Sequence, residues 1–312
     1  MRSGLLVILL ILFQSTSDWY TKGNVNPDPR YVNNLVEGEG GLLLFGGKND
    51  SNHGFDDLWE WTDNSWKLIG HGATKRWDHS YTFMSNIETL LLFGGRSFAK
   101  DSNIRIDLND TWTYTRGKWA SLNIPGPGNR SSHAMAYDLS KQQTLLFGGR
   151  NSTTTYSDTW VFNGITWKNL EIDGPSARFG HTLSYDPLNH RTYLFGGHNG
   201  ETILDDFWMF NGSEWTEIEI KNGPSARMAH AMQFDDKGNA LLNGGWDGQV
   251  LAETWVWRNN QWQILPTGTN AKPSISHAIG FNSSTNEFIM FGGSTAFGSG
   301  FHKTTRAIKI KF

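Results

Sequence analysis

Six pairs of adjacent glycines, spaced almost evenly along the chain, constrain the fold more than any other feature of this sequence. A short apolar run precedes each pair, and the spacings between pairs are 48, 54, 48, 48 and 48 residues. A fixed period near 50 residues is typical of architectures in which each repeat is one supersecondary unit. The 312 residues are therefore interpreted as one repeated domain. The pairs are Gly46-Gly47, Gly94-Gly95, Gly148-Gly149, Gly196-Gly197, Gly244-Gly245 and Gly292-Gly293.

Two tryptophans seven residues apart follow the glycine pair in five of the six repeats. An acidic residue stands two positions before the first tryptophan, and a turn-forming dipeptide such as Asn163-Gly164 lies between the two. Such dipeptides join antiparallel strands as tight hairpins. Each repeat therefore predicts four strands. The tryptophan pairs are Trp59 and Trp66, Trp112 and Trp119, Trp160 and Trp167, Trp208 and Trp215, and Trp255 and Trp262.

The composition excludes several classes of protein. The chain has 15 tryptophans, 35 glycines and only 18% charged residues, which is typical of short aromatic strands joined by glycine turns and not of a helical bundle. Cysteine is absent, so disulfides, thiolate metal sites and cysteine nucleophiles are excluded. The formal net charge of -3 gives no global basic field, and we expect no nucleic-acid partner.

The glycine pairs followed by spaced tryptophans resemble the repeats of the kelch family over residues 18 to 312. This resemblance implies an all-β fold, a six-bladed kelch β-propeller in a single domain. The sixth repeat has no second tryptophan at its end, whereas Trp19 precedes Arg30 by 11 residues, the spacing found at the other repeat junctions. We therefore predict that the amino-terminal strand closes the last blade, which removes exposed sheet edges.

Residues 1 to 17 have the layout of a secretory signal peptide. Arg2 gives a charged start, Leu5 to Phe13 form an apolar run of nine, and small Ser15 and Ser17 precede a cleavage position before Asp18. The run is about half of the roughly 20 apolar residues that a membrane span needs. We predict a secreted or extracellular protein, or a periplasmic one in a bacterium, without a membrane span.

Cationic residues recur at two phases of the repeat. The first set opens the first strand of five blades, three residues before a histidine in four of them, and the second set, with two aromatic members, follows the glycine pairs. The kelch resemblance implies that both sets stand around one mouth of the central channel, where they would hold an anionic ligand. The predicted ligand-binding residues are Arg30, Arg76, Arg130, Arg178, Arg227, Lys48, Arg96, Arg150, His198 and Trp246.

Each of these patterns also has a structural interpretation. The arginines would instead join neighbouring blades by hydrogen bonds to loop carbonyls. The histidines, three residues after the arginines, would face the opposite side of the strand and serve as hydrogen-bonded structural groups rather than as a metal ring. The acidic residues before the first tryptophans recur in five repeats, so we predict that they accept loop backbone amides rather than form a catalytic pair.

The favoured function is a binding module that binds a protein or glycan through its loop-bearing face, without catalysis or a cofactor. We expect a monomer. The alternative is a carbohydrate-active enzyme, similar to the kelch proteins that isomerise sialic acid, which needs a lone acid or base among the arginines. The candidate cluster of mixed chemistry for that alternative is His198, Glu201 and Arg178. A purely structural module is the third possibility.

Overall fold

A computed structural model of the chain describes residues 17–23, 26–31, 34–49, 54–267 and 271–310. The described residues form six antiparallel sheets, five with four strands and one with five. One short 3-10 helix, Ser85–Ile87, interrupts the strands. The predicted all-β fold is confirmed.

The strands of each sheet follow one another in the chain, as four-strand repeats require. The first strand is β1 (Tyr20–Lys22). Blade 1 contains β2 (Val36–Glu37), β3 (Leu42–Phe45), β4 (Phe55–Thr62) and β5 (Ser65–Arg76). Blade 2 contains β6 (Ser80–Met84), β7 (Thr89–Phe98), β8 (Arg105–Thr115) and β9 (Lys118–Leu122). Blade 3 contains β10 (Ala134–Asp138), β11 (Gln143–Phe147), β12 (Thr159–Phe162) and β13 (Trp167–Asn169).

The remaining blades have the same order. Blade 4 contains β14 (Thr182–Asp186), β15 (Arg191–His198), β16 (Ile203–Phe210) and β17 (Trp215–Ile218). Blade 5 contains β18 (Ala231–Phe234), β19 (Ala240–Asn243), β20 (Thr254–Arg258) and β21 (Gln261–Leu265). Blade 6 contains β22 (Ile275–Asn282), β23 (Glu287–Ala296), β24 (Ser299–Phe301) and β25 (Thr305–Ile308).

The first strands of the six blades lie side by side around a central axis. Strand β2 contacts β6, β6 contacts β10, β10 contacts β14, β14 contacts β18, β18 contacts β22, and β22 returns to β2. This cycle of contacts closes a ring, so the fold is a six-bladed β-propeller whose first strands line the channel.

The amino-terminal strand closes blade 6, as the spacing of Trp19 predicts. Strand β1 pairs antiparallel with β25, giving the sheet order β1-β25-β23-β22. The Trp19 side chain is only 1% exposed, and its indole Nε1 donates to Thr254 Oγ1 of blade 5 over 3.3 Å. Tyr20 and Lys22 both donate to the Glu287 carboxylate. Blade 6 therefore depends on residues from both ends of the described chain.

The glycine pairs lie at the seams between blades, where no side chain fits. In blade 3, Gly148 and Gly149 have φ of 64° and 92°. A Cβ on Gly148 would stand 2.6 Å from the Arg178 carbonyl oxygen of the next blade, and one on Gly149 would stand 2.7 Å from His133 Cβ. Any larger residue would push neighbouring blades apart, which explains why both positions are glycine.

The second tryptophan of each repeat joins its blade to the preceding one. The indole N–H groups of Trp19, Trp66, Trp167 and Trp215 donate to a buried threonine on the third strand of the preceding blade or, for Trp66, on β25. Leu58 and Phe207 occupy that threonine position before Trp119 and Trp262, and these two indole N–H groups have no hydrogen-bond partner. Packing of the ring therefore suffices at two seams, and a hydrogen bond is added at the others.

The predicted signal peptide lies outside the described residues except for Ser17, which is buried. No helix within the described ranges has the length and apolar character that a membrane crossing requires. Cleavage before Asp18 stays a prediction.

Candidate functional site

The five arginines that open the blades are buried rather than displayed at the channel mouth. Arg178, which is 0% exposed, shows the arrangement. Its two terminal nitrogens donate to the Asp206 carboxylate over 2.6 and 2.7 Å, Nη1 also donates to the Gly196 carbonyl over 3.1 Å, and Nε donates to the Ser176 carbonyl over 2.9 Å. The equivalent ion pairs are Arg30 with Asp57, Arg76 with Asp110, Arg130 with Asp158, and Arg227 with Glu253.

The main-chain carbonyl of each arginine accepts a hydrogen bond from the preceding blade. The backbone N–H of Gly149 in blade 3 donates to the Arg178 carbonyl over 2.8 Å, while the Arg178 side chain bonds within blade 4. The same backbone bond recurs at all six junctions, with Ser274 replacing arginine in blade 6. The arginines therefore join neighbouring blades as the structural interpretation predicted, but through their backbone carbonyls, while their guanidinium groups bond within their own blades.

The acidic residues hold the arginines rather than loop amides, and the four aspartates, but not Glu253, also accept from the indole N–H of the first tryptophan. Asp158 accepts from Arg130 over 2.6 and 2.8 Å and from the Trp160 indole over 2.7 Å. Burial raises the pKa of Asp158, but these hydrogen bonds and the Arg130 charge outweigh it and hold the pKa below its ordinary value. A buried arginine requires such a partner, which a loop amide cannot supply.

Replacing Arg178 by alanine should destabilise the protein strongly. The change leaves the Asp206 carboxylate and the Gly196 carbonyl without their donor, and breaking a buried ion pair by removing one partner typically costs about 3 to 5 kcal/mol. Urea unfolding at pH 7 measures the loss. Arg191→Ala, a less buried arginine of the same blade that bonds only to the His190 carbonyl, is the control and should change the free energy of unfolding by less than about 0.5 kcal/mol. Equal stability of the two variants would contradict the structural role.

Blade 6 has lost both members of this ion pair together. Ser274 stands at the arginine position and Thr304 at the acidic position. Arg306 occupies the place of the first tryptophan, is buried, and lies 5.8 Å from the Trp19 ring centroid. Desolvation lowers the pKa of Arg306 to about 10. Losing the pair as a unit avoids leaving one buried charge uncompensated.

The histidines three residues after the arginine positions are also buried, which strand alternation did not predict. Asp78, Ser132, Gly180, Ala229 and Ser276 lie between the two sets and have φ between 50° and 67°. A left-handed residue interrupts the strand, so the alternation rule does not apply across it. Both side chains consequently point into the seams between blades.

The histidine rings are neutral parts of the packing. His133, His181 and His230 each meet the edge of a phenylalanine from the preceding blade with ring centroids 5.5 to 5.6 Å apart. Desolvation, followed by the charge of Arg178, lowers the pKa of His181 to about 3. His230 also forms a hydrogen bond with Thr182 Oγ1 over 2.9 Å. Among the described residues, no three potential metal-ligating side chains form a group that could hold an ion.

The left-handed residues of blades 2 to 6 form a partial ring of backbone hydrogen bonds around the channel, and the matching residue of blade 1 lies outside the described residues. Ser132 N–H donates to the Asp78 carbonyl over 2.7 Å, Gly180 to Ser132 over 2.9 Å, Ala229 to Gly180 over 2.9 Å, and Ser276 to Ala229 over 2.8 Å. All five residues line a cavity of about 1060 Å³ along the axis. The ring fixes the channel wall close to one mouth.

Two of the five residues that follow the glycine pairs, Lys48 and Arg150, lie at that mouth. Lys48, Arg96, Arg150, His198 and Trp246 are partly exposed and pair through backbone bridges with the residues that follow the buried arginines. The bridge partners are Tyr31, Trp77, Ser131, Phe179 and Met228, respectively. Of the ten predicted ligand-binding residues, Lys48 and Arg150 line the cavity.

Aromatic rings hold the mouth cations in place. The Lys48 ammonium lies 5.2 Å from the Trp77 ring centroid, and the Arg150 guanidinium lies 3.8 Å from that of Phe179. Cation–π contacts at such distances stabilise the cation without neutralising its charge. We call Lys48, Arg96 and Arg150, together with Tyr31, Trp77 and Phe179, the cationic mouth.

The cationic mouth carries positive charge that its own carboxylates do not balance locally. Arg96 pairs with Asp107 over 3.1 Å and with Asp78 over 3.3 Å. Arg150 forms no ion pair with any described residue, and its buried Nε has no hydrogen-bond partner. Burial and then repulsion from Arg96 lower the pKa of Arg150, and burial and then repulsion from Arg105 lower the pKa of Lys48.

The three residues of the alternative mixed cluster do not come together. His198 packs on Phe179 at 5.3 Å between centroids and its Nδ1 accepts from Gly200 N–H over 2.9 Å. Arg178 is occupied by Asp206, and Glu201 is exposed. The structure shows no bond among His198, Glu201 and Arg178, so it does not assemble the proposed mixed cluster.

Sequence reasoning missed Asp78, Trp77 and Phe179, all of which line the cavity. They stand one or two positions after the buried arginines, where the repeats differ most from one another. The available signal was that residue type varies among the repeats at these positions, next to an arginine that recurs in five of the six repeats.

A protein-family model described as the KLHDC2/KLHL20/DRC7 Kelch-repeats domain matches the chain twice, over residues 6–163 and 114–293. A search of curated proteins finds no match.

Proposed function

The chain belongs to the kelch-repeat family, and from this membership we propose that it is a binding module whose cationic mouth recognises an anionic protein segment or glycan. The observation that carries the proposal is Arg150. Its guanidinium is fixed over Phe179, borders the cavity and lacks a carboxylate partner among the described residues. An arginine held in this way offers planar donors to a carboxylate, sulfate or phosphate.

The shape of the mouth also supports binding. A cavity of about 1060 Å³ is large enough for several residues of an extended peptide or a few sugar rings, because small-molecule sites span about 300 to 1,000 Å³. Trp77 and Phe179 offer apolar faces beside Lys48 and Arg150. Aromatic and arginine side chains are the types that dominate binding energy at interfaces.

We further propose that the module acts after secretion, as a monomer, and without nucleic-acid partners. Residues 1 to 17 support secretion, and the net charge of -3 argues against a nucleic-acid partner. Amino-terminal sequencing of material from the medium tests the first point: recovery of Met1 would contradict cleavage.

Charge removal at the mouth should weaken binding and leave folding intact. Purified residues 18–312 are screened against arrays of glycans and of secreted proteins at two salt concentrations. Arg150→Gln should lower the affinity for the leading ligand at least tenfold, since a charge-assisted hydrogen bond contributes about 1.5 to 3 kcal/mol. Higher salt should lower the affinity of the unmodified protein for the same ligand.

The matched control is Lys141→Gln, which removes an exposed cation from the turn after β10. That turn lies at the other end of β10 from the mouth. The Lys141→Gln variant should bind the leading ligand with the same affinity as the unmodified protein. A ligand that binds Arg150→Gln and the parent equally, at either salt concentration, would overturn the proposal.

One observation keeps a carbohydrate-active enzyme as the second candidate. Such an enzyme needs a lone acid among the cations, and Asp78 has that position, 3.3 Å from Arg96 and on the cavity wall. Incubation with sialic acid, followed by proton NMR of the C3 protons that distinguish its two anomers, tests for accelerated isomer exchange. Exchange that persists in Asp78→Asn would remove Asp78 from that role.

A further inference from the structure

The carboxylate of Asp78 lies on the cavity wall beside the three cations of the cationic mouth. Asp78 follows Trp77, lies in the left-handed region with φ of 54°, and lines the cavity. Its Oδ2 lies 3.3 Å from Arg96 Nη1, and its side chain is 30% exposed, toward the channel. The backbone is fixed because its carbonyl accepts from Ser132 N–H in the next blade. Asp78 is therefore held at this place independently of its side chain.

Charges from three neighbouring elements act on this carboxylate. Lys48 comes from the loop after β3, Arg96 from β7, and Arg150 from the loop after β11. Asp107 on β8 is the other carboxylate that acts on it, and it binds the opposite edge of Arg96. Burial raises the pKa of Asp78 by more than the three cations lower it, so the pKa lies above its ordinary value. Asp78 thus occupies the electrostatic position that a bound anion would take.

We propose that Asp78 is the specificity-determining residue of the cationic mouth and selects anions that carry a hydroxyl or amide donor beside the charge. This inference rests on the proposed binding function. An ionised carboxylate only accepts hydrogen bonds. A ligand anion that reaches Lys48 and Arg150 therefore comes close to a like charge, and the repulsion is offset only if the ligand donates to Asp78.

The class of ligand follows from this arrangement. Hydroxy acids, acidic sugars and peptide carboxylates with a nearby N–H offer both an anion and a donor. Simple polyanions offer the anion alone, so Asp78 discriminates against them. Rejection by an unsatisfied buried polar group is the mechanism by which hydrogen-bonding sites reach high selectivity.

Citrate and tricarballylate separate the two kinds of anion. Both carry three carboxylates, and they differ by the single hydroxyl that only citrate has. Titration of the intrinsic tryptophan fluorescence reports binding, because Trp77 lies beside Lys48 in the mouth. The wild-type protein should bind citrate at least tenfold more tightly than tricarballylate.

Asp78→Asn is the decisive variant. Asparagine tolerates the left-handed conformation, so the backbone ring is retained, and thermal unfolding checks this. The variant should bind tricarballylate about tenfold more tightly than the wild type does, and its preference for citrate should fall below threefold. Asp107→Asn is the matched control, because Asp107 is the other carboxylate that pairs with Arg96 but does not line the cavity. This variant should keep the wild-type preference for citrate.

Two further outcomes separate this inference from the binding function itself. In the first, Arg150→Gln lowers the affinity for both anions, but the wild type and Asp78→Asn prefer citrate to the same degree. The binding function then stands, and the role of Asp78 is refuted. If neither anion binds wild type or Asp78→Asn, the cationic mouth is not an anion site and both ideas fail.

Discussion

Acidification from pH 7 to pH 5 is expected to lower the free energy of unfolding by several kcal/mol, well before the carboxylates titrate. His79, His133, His181, His230 and His277 are buried at five of the six blade seams. Desolvation is the largest cause of the lowered pKa at each of them, and for His79 and His181 the pKa falls to about 3. In the unfolded chain they titrate near 6.5.

The direction follows from proton binding. Below pH 6.5 the unfolded chain takes up protons on these histidines while the folded protein does not, so stability is complete above pH 6.5 and falls as the pH decreases toward 3. One unit of pKa difference corresponds to 1.36 kcal/mol. His79 and His181 should thus each contribute a loss of about 2 kcal/mol at pH 5, and the other three act in the same direction.

Urea unfolding between pH 7.5 and 5 measures this slope. His181→Gln removes one titrating group and should give a shallower dependence on pH, although the variant is less stable at pH 7. His190→Gln replaces an exposed histidine of the same blade and should keep the wild-type slope. A flat profile from pH 7 to pH 5 would refute neutral burial of the ring.

Removal of the closing strand is expected to cost at least about 3 kcal/mol. A chain starting at Gly23 lacks Trp19, and loss of a buried tryptophan side chain typically costs about 3 to 5 kcal/mol. It also lacks Tyr20 and Lys22, the donors to Glu287, and it exposes the edge of β25. Thermal and urea unfolding compare it with a chain that starts at Asp18, which keeps the strand.

The chain that starts at Asp18 should unfold like the full described domain. If the shorter chain does not fold, Trp19→Ala in the longer one provides the measurement, with Tyr20→Ala, at the more exposed neighbouring position, as its milder control. Closure by this strand would be disproved by identical midpoints for the two chains.

The blades and their closure were predictable because their signals are local and repeat. The glycine pairs, the paired tryptophans and the offset of Trp19 each identify a strand or a seam without knowledge of distant contacts. The arginine orientation was not predictable in the same way. Strand alternation applies only to a continuous strand, and the left-handed residues Asp78, Ser132 and Ala229 break it. Of the five ring residues, Gly180 and, more weakly, Asp78 have residue types that favour positive φ, whereas Ser132, Ala229 and Ser276 do not.

The partner of each arginine was also hidden, because Arg178 and Asp206 are 28 residues apart. One signal was present: Ser274 and Thr304 replace both residues in the same repeat. Joint loss favours a pair over two independent roles. The residues of the cationic mouth, by contrast, lie at positions where the residue type varies among blades. Only the three-dimensional ring brings Asp78 near Lys48 and Arg150.

Because each arginine is attached to two blades, one sequence repeat does not correspond to one independent blade. A 48-residue repeat contributes the backbone carbonyl that the preceding blade needs and the side chain that its own blade needs, as Gly149 and Asp206 show for Arg178. A duplicated repeat would therefore enter the ring with both of its joints already matched. Blade 6 shows that the arginine side-chain bonds can be absent while the backbone bond remains, since the Ser274 carbonyl still accepts from Gly245 N–H over 2.9 Å. Blade number can thus change by whole repeats while each joint diverges at its own pace.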